Sequence, residues 1–336
     1  MFDAVCGDVD MKTEILKLLR ENGDYISGQE LCNRFGVSRT AVWKVINQLK
    51  EEGYGIEAVQ NKGYRLRLNP DVLSSSELKS RIHNKWAGVP VYYYEETGST
   101  NIDAKRLGEE GAKHGTVVVA DKQNAGRGRR GRVWQSPAGK DIYFTILLRS
   151  GFEPDKAAGL TLVMALSVAQ AVEKICGGKA GIKWPNDVVL NGKKICGILT
   201  EMTVETDYIQ HVVIGVGINV NLDAMPEEIR QTATSILLES GKETARAELL
   251  QEVLARFEEN YEKYEESLDL RNILEDYNNH LVNRDKQVKV LDPKGEFEGI
   301  ARGVNASGEL LVETPDGKTE AIYAGEVSVR GIYGYV

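Results

Sequence analysis

Nine residues near the middle of the chain, Gly126-Arg127-Gly128-Arg129-Arg130-Gly131-Arg132-Val133-Trp134, have the composition of an anion-binding loop. Three glycines let the backbone fold closely round a ligand. Four arginines supply permanently charged, forked donors suited to phosphate and carboxylate, and Trp134 adds an aromatic face. The run contains G-x-G-x-x-G, the dinucleotide fingerprint, and a strand is expected before it over Thr116–Asp121. That fingerprint also needs a helix beginning within it, whose N-terminus holds the pyrophosphate. Here Val133-Trp134-Gln135-Ser136-Pro137-Ala138-Gly139 follows, and then another strand, which argues against a dinucleotide site. Apolar strands close on both sides argue equally against a disordered RG-rich RNA segment. A solvated basic loop is the plain alternative.

Other polar runs accompany the loop. Gly98-Ser99-Thr100-Asn101 is a turn of helix-capping type, and Gln123 immediately precedes the glycines. Downstream come Lys183-Trp184-Pro185-Asn186-Asp187, Gly192-Lys193-Lys194-Ile195-Cys196-Gly197-Ile198-Leu199 and Ile214-Gly215-Val216-Gly217-Ile218-Asn219. Trp184 reads equally as a packing residue, and Asp187 as a structural hydrogen-bonding group. The four cysteines (Cys6, Cys32, Cys176, Cys196) lie far apart, with neither zinc-ligand nor disulfide spacing. Nothing beside Cys196 suggests an activated thiol.

The elements that must position these groups follow from periodicity. Met11, Ile15, Leu18 and Leu19 recur at helical spacing, Ser27-Gly28-Gln29-Glu30 is a capping box, and Ser38 opens a third helix after a turn at Gly36-Val37. On that helix Val42, Val45, Ile46 and Leu49 face one way; Arg39, Thr40, Trp43, Lys44 and Asn47 face the other. Ile56–Val59 and Tyr64–Leu68 then form a hairpin about Asn61-Lys62-Gly63. This is a winged helix-turn-helix, with Ser38, Arg39, Thr40, Trp43, Lys44 and Lys62 placed for DNA. Asn69-Pro70 and Ser74-Ser75-Ser76 read as a linker. From residue 80 to about 282, strands joined by hairpins alternate with helices over Lys156–Ile175 and Ala245–Ser267, which predicts a mixed, largely antiparallel sheet. From Lys286 on, five short strands with glycine turns suggest a small β-barrel.

Bulk numbers set limits. At 336 residues the chain has room for two or three domains, and 42% hydrophobic with 27% charged residues is ordinary for a globular protein. A net charge of −8 argues against binding nucleic acid over the whole surface. Residues 11–69, however, carry ten Lys/Arg against seven Asp/Glu, so a head of +3 sits on a body of −11. No leader and no apolar run long enough to span a bilayer is evident, so a cytoplasmic protein without membrane contact is expected.

The ordered set GST-N, Q-x-A-GRGRRGR-x-W, KWPND, GKK-x-x-GIL-x-E and IG-x-GIN resembles the bifunctional biotin–protein ligases that also serve as biotin operon repressors in bacteria, across the whole chain. The resemblance implies an α+β multidomain fold. A winged helix-turn-helix over 1–69 and a linker over 70–80 would precede a mixed-sheet catalytic domain over 81–282, of the class II aminoacyl-tRNA synthetase/biotin–lipoate ligase type. An SH3-like β-barrel over 283–336 would complete it.

It also implies a two-step reaction: biotin's carboxylate attacks the α-phosphate of MgATP to give biotinoyl-5'-AMP, and a lysine of a biotin carboxyl carrier protein, as in acetyl-CoA carboxylase or related carboxylases, then takes the acyl group. By the same resemblance Ser99, Thr100, Asn101, Gln123, Gly126, Arg127, Gly128, Arg129, Lys194, Gly197 and Gly215 would bind biotin. Arg130, Arg132, Trp134, Lys183, Asn186, Asn219 and, from the barrel, Arg330 would surround the adenylate. Lys194, Arg129 and Lys183 would carry the chemistry, and Asp187 would help to place Mg²⁺.

The residue chemistry agrees. Cations are needed where a carboxylate meets a triphosphate, and neutral donors and acceptors suit a ureido ring. Arginines in a glycine-rich loop should pack only once their anion arrives. The loop is therefore expected to order over biotinoyl-AMP, complete a homodimer surface and link the ligand to operator DNA. Two other readings remain: a transcription factor whose core binds an effector without catalysis, and a lipoate or octanoate ligase.

Overall fold

Apolar residues Ile15, Leu16 and Leu19 share the buried face of α1 (Met11–Asn22). Ser27 accepts a hydrogen bond from Glu30 N and starts α2 (Gly28–Phe35), which Gly36 ends in the left-handed conformation at φ 64°. Ser38 caps α3 (Arg39–Glu51) by accepting from Ala41 N. The antiparallel strands β1 (Gly55–Val59) and β2 (Gly63–Leu68) form the expected wing. Leu31, Val42, Ile46 and Leu49 complete the core beneath them.

The computed structural model describes residues 11–68, 71–149, 151, 153–205, 208–292, 295–323 and 328–331. Residues Met1–Asp10, Cys6 among them, and the expected Asn69-Pro70 junction lie outside this set. The chain divides into two compact units, residues up to 83 with 245–251, and 84–244 with 252 onward.

In the first unit, Ser75 and Ser76, placed above in a linker, belong to the helix α4 (Ser75–Arg81), capped by Ser74. Ser-rich sequence reads as linker because serine competes for the backbone, but the same hydroxyls serve as caps. What holds α4 is Glu77, 1% exposed. Its carboxylate accepts from Arg20 Nη2 on α1 at 3.0 and 2.9 Å, from the Tyr54 hydroxyl at 2.5 Å, and from Arg81 Nε. Burying a carboxylate is tolerable only with such partners. Asp71 similarly takes Arg246 Nε at 2.8 Å.

The second unit is built on a seven-stranded sheet in the order β3-β4-β5-β9-β8-β7-β6. Its strands are β3 (Val91–Thr97), β4 (Val117–Gln123), β5 (Ile142–Leu148), β6 (Ala180–Lys183), β7 (Asp187–Leu190), β8 (Lys193–Glu205) and β9 (Tyr208–Ile218). Only β3 and β4 run parallel among these pairs; the rest are antiparallel, as the hairpin spacing predicts. The helix α5 (Thr100–Glu109) packs on β4, β5 and β9, and α6 (Pro154–Cys176) on β6 and β8.

The sequence reading that no apolar run could span a bilayer needs correcting: α6 is long and apolar enough by length and composition. It is a core helix, however, with Leu160, Val163, Leu166 and Val168 fully buried.

The short α7 (Ile236–Ser240) precedes α8 (Arg246–Ser267). Phe257 and Tyr261 of α8 gather with Trp86 and His114, whose ring lies 4.6 Å from Trp86 and 5.5 Å from Tyr261 between centroids. Glu258 beside them accepts from the backbone N–H groups of Lys85, Trp86 and Ala87.

After α9 (Leu274–His280) come β10 (Lys286–Asp292), β11 (Gly295–Val304), β12 (Leu310–Glu313), β13 (Thr319–Ile322) and β14 (Ser328–Gly331). They form one antiparallel sheet in the order β13-β12-β11-β10-β14.

Candidate active site

One cavity of about 1220 Å³ collects the chemistry-bearing runs, all from the second unit. Ser99, Asn101, Gln123, Arg127, Gly128, Arg129, Arg130, Arg132 and Trp134 line it, together with Lys183, Asn186, Asp187, Lys194, Gly197, Gly215 and Asn219. Trp184 also borders it but is 1% exposed, donating its indole N–H to Gly308 O at 3.1 Å, so packing is its main role. Cys196 is fully buried, which pushes its thiol well above the ordinary range and leaves it unreactive.

The arginine loop is folded back on itself. Gly128 N donates to Arg132 O at 2.7 Å, Trp134 N donates to Gly126 O at 2.9 Å, and Arg129–Gly131 make a 3-10 turn with Arg130 left-handed at φ 58°. These backbone hydrogen bonds define the path of the loop, while the arginine side chains are the part expected to pack over an anion. The side chains diverge: Arg127, Arg130 and Arg132 stand exposed, whereas Arg129 is partly buried and donates through Nη1 to Asn186 Oδ1 at 2.8 Å. Burial lowers the Arg129 guanidinium from its ordinary value, Asp187 opposes this, and Arg130 and Arg132 add to it. An incoming anion offsets the cost of burying this charge and the crowding of positive charge round it.

Opposite, Lys194 Nζ lies 2.6 Å from Asp187 Oδ1 and 5.4 Å from the centre of the Trp134 ring. The Trp134 indole lies over Gly197 and Gly217; a Cβ at Gly217 would come within 2.5 Å of the ring. Lys183, at the end of β6, is 7% exposed. Asn219 donates through Nδ2 to Thr234 O at 3.0 Å, so its amide braces the cavity wall. Among the described residues no group of three or more His, Cys, Asp or Glu converges on a metal position.

The uncharged lining groups come from the start of α5 and the end of β4. Ser99 is the N-cap of α5 yet makes no side-chain cap bond. Gln123 Oε1 accepts from Thr100 N at 2.9 Å, and its Nε2 donates to Ser136 Oγ at 3.0 Å. Thr100 therefore stands behind Gln123 and does not itself line the cavity. Gly126 is also displaced from the lining, because it is pressed against Trp134 O, where a Cβ would lie 2.4 Å away. Asn101 is buried, and only glycine fits at 215, since a Cβ there would meet Asn101 Oδ1 at 2.0 Å. Arg330 sits in β14 opposite Lys289, and its side chain lies outside the described set.

Sequence reasoning missed the segment 222–233. Leu222, Met225, Pro226 and Ile229 line the cavity from it, and its lack of either helical or strand periodicity gave no signal. It also missed Thr145, Lys105 and Glu201 behind Asn101, although Glu201 closes the GIL-x-E motif.

In the first unit, Ser38, Arg39, Thr40, Trp43, Lys44 and Lys62 are exposed, with Trp43 at 55%. Asn47 is only partly exposed. Lys62 and Arg65 flank the Tyr25 ring, 5.6 and 4.6 Å from its centre.

Three family profiles match the chain: a helix-turn-helix domain over residues 12–65, the biotin/lipoate A/B protein ligase family over 93–219, and the biotin protein ligase C-terminal domain over 285–330. The chain is 39% identical over 324 residues to the bifunctional ligase/repressor BirA of Bacillus spizizenii, covering 95% of this chain and 98% of that protein. It is 33% identical to the protein of the same name from Escherichia coli, covering 93% and 95%. Among solved structures, the biotin protein ligase from Aquifex aeolicus in complex with biotin and ATP matches at a TM-score of 0.62 and 35% identity, covering 72% of this chain and 98% of that one.

Proposed function

The chain belongs to the biotin protein ligase family, in its bifunctional ligase/repressor group, and from that premise we propose which residues perform each step and which partners it serves. The reading assigns biotin activation to the cavity: a biotin carboxylate oxygen attacks the α-phosphorus of ATP, the bond to pyrophosphate breaks, and biotinoyl-5'-AMP forms. A lysine amine of a biotin carboxyl carrier protein then attacks the acyl carbon, AMP leaves, and the amine loses a proton.

One observation carries this assignment. A single cavity is lined both by neutral amide and hydroxyl groups (Ser99, Asn101, Gln123) and by the cations Arg127, Arg129, Lys183 and Lys194. That combination suits a ligand with an uncharged polar head and a carboxylate that must be brought against a triphosphate. Lys194 and Arg129 offset the charge developing on the phosphoryl oxygens, and Lys183 neutralises the phosphates. Arg127 and Gly128 take the biotin carboxylate. Arg130, Arg132 and Trp134 surround the nucleotide with Asn186, Asn219 and Arg330. With no protein nucleophile required, catalysis rests on proximity and electrostatics.

Mg²⁺ enters as part of the MgATP substrate. Asp187 already carries Lys194 as its counter-ion, and a single carboxylate so paired does not make a resident metal site.

The winged helix adds operator binding, with biotinoyl-AMP as corepressor and two copies of the chain on a two-fold operator. A cytoplasmic setting suits both roles. Incubation with radiolabelled biotin, ATP and a carboxyl-carrier domain tests the enzyme: label on the carrier is expected. Label from lipoate or octanoate alone, or bound biotin without transfer, would replace the reading with a lipoate-type ligase or an effector-binding regulator.

A further inference from the structure

Arg39, the first residue of α3, is exposed, yet its guanidinium is held: Nη2 donates to Gln29 Oε1 on α2 at 2.8 Å. Gln29 Nε2 donates in turn to Asn33 Oδ1 at 2.9 Å, one turn further along α2. Gln29 and Asn33 are exposed too, as are Thr40, Trp43 and Lys44 on the face assigned to DNA. None of the three linked side chains belongs to the buried core of the first unit.

The chemistry of the groups fixes the direction of these hydrogen bonds. A guanidinium has donors and no acceptor, so Gln29 must turn its oxygen to Arg39. Its NH₂ then points to Asn33, which must present an oxygen of its own. Nη2 carries two protons, one belonging to the fork with Nη1 and the other to the fork with Nε. Whichever of them Gln29 takes, one complete two-pronged fork remains for a ligand. In the major groove of B-form DNA, only guanine offers two acceptors, O6 and N7, on the edge of one base, and such a fork fits them.

In water, a bond between exposed side chains stabilises little, because solvent offers the same partners. A groove that excludes water strengthens it. An arginine already held in place also loses less rotamer freedom when it docks.

We propose that Gln29 is a positioning residue for Arg39, and that the pair makes one guanine of the operator a requirement for tight binding. The inference rests on the operator reading and adds to it a group on α2 that acts through Arg39.

The test uses the full-length protein with biotinoyl-AMP and a pool of random-sequence duplexes, from which bound sequences are selected, read and titrated singly. Wild type should prefer G·C at one base pair by at least about tenfold over the other three pairs. Arg39→Ala should erase the preference at that pair alone. Gln29→Leu, which keeps the length but has no acceptor, should lower it about fivefold, with the affinity and salt slope for a non-specific duplex unchanged. Gln29→Glu should retain the preference, because its carboxylate accepts from Arg39. A preference undiminished in Gln29→Leu, lost in Gln29→Glu or untouched by Arg39→Ala overturns the proposal. If wild type selects no sequence at all, the operator reading itself fails; if it selects one that Gln29→Leu reads equally well, only the role of Gln29 does.

Discussion

Lys194 Nζ sits 2.6 Å from Asp187 Oδ1, so a cation of β8 is held at the cavity by the residue that ends the KWPND run on β7. A lysine has a long, mobile stem, and this pairing fixes where its charge points. Replacing Lys194 with Ala should slow biotin-dependent pyrophosphate exchange by about 10²–10³. Asp187→Asn, which leaves the cation but loosens it, should cost about tenfold. Equal rates in wild type and Lys194→Ala would remove it from the chemistry.

Arg129 bridges the arginine loop to Asn186. Arg129→Gly should weaken retention of biotinoyl-AMP by at least about tenfold, as expected for a lost charge-assisted contact. Dissociation of the adenylate, followed by its transfer to a chase of carrier protein, reads this directly. Asn186→Ala should show a smaller effect in the same direction.

The Glu77 cluster supports stability in the first unit. Removing one partner strands buried guanidinium groups, so Glu77→Ala should cost about 3–5 kcal/mol. Tyr54→Phe, which deletes one hydrogen bond to a charged group, should cost about 1.5–3 kcal/mol. Urea unfolding followed by circular dichroism measures both.

Acid should weaken the second unit at mildly low pH. Burial lowers the His114 imidazole from its ordinary 6.5, and His211 is lowered by burial and then by nearby Arg149. Both are neutral when folded, so the unfolded chain binds protons first. Their contribution is complete above 6.5 and is lost as pH falls from there toward the folded values. The urea midpoint at pH 5.5 should lie below that at pH 7.5, and His114→Gln should reduce the gap. A gap unchanged in the variant would exclude His114 as a source.

DNA binding is checked by operator titration at several salt concentrations. Lys44→Ala should weaken binding and reduce the log–log salt slope by about 1 if it meets a phosphate. Adding biotinoyl-AMP should tighten binding of the wild type; equal affinity with and without it would uncouple the ligand from the DNA.

Much of this was legible because local rules repeat. Ser27 and Ser38 announced helix starts that the backbone follows, and the strand-to-strand context of Gly126–Trp134 argued against a dinucleotide fold. Charged site residues were legible because Arg, Lys and Asp in glycine-rich runs have few structural uses. The hidden part lay in long-range relations. Ser74–Ser76 looked like linker because serine's role depends on whether α1 offers Arg20 to Glu77. Thr145 sits in an apolar strand, IYFTILL, and nothing local marks it as the neighbour of Asn101. Leu222–Ala233 carries no period at all, so only the folded cavity shows its use.

The indole of Trp184 bears on how small a working ligase could be cut from this chain. It borders the cavity and rests its N–H on Gly308 O, while Asn283 Oδ1 receives the Trp184 backbone N–H at 3.2 Å. Asn186 and Asp187, two and three residues on, are the cavity's own. A protein ending at residue 282 would lose Arg330 and, with Asn283 and Gly308, the support beneath Asn186 and Asp187. The C-terminal sheet is thus part of the minimal enzyme, and trimming it should blunt turnover before it unfolds the core.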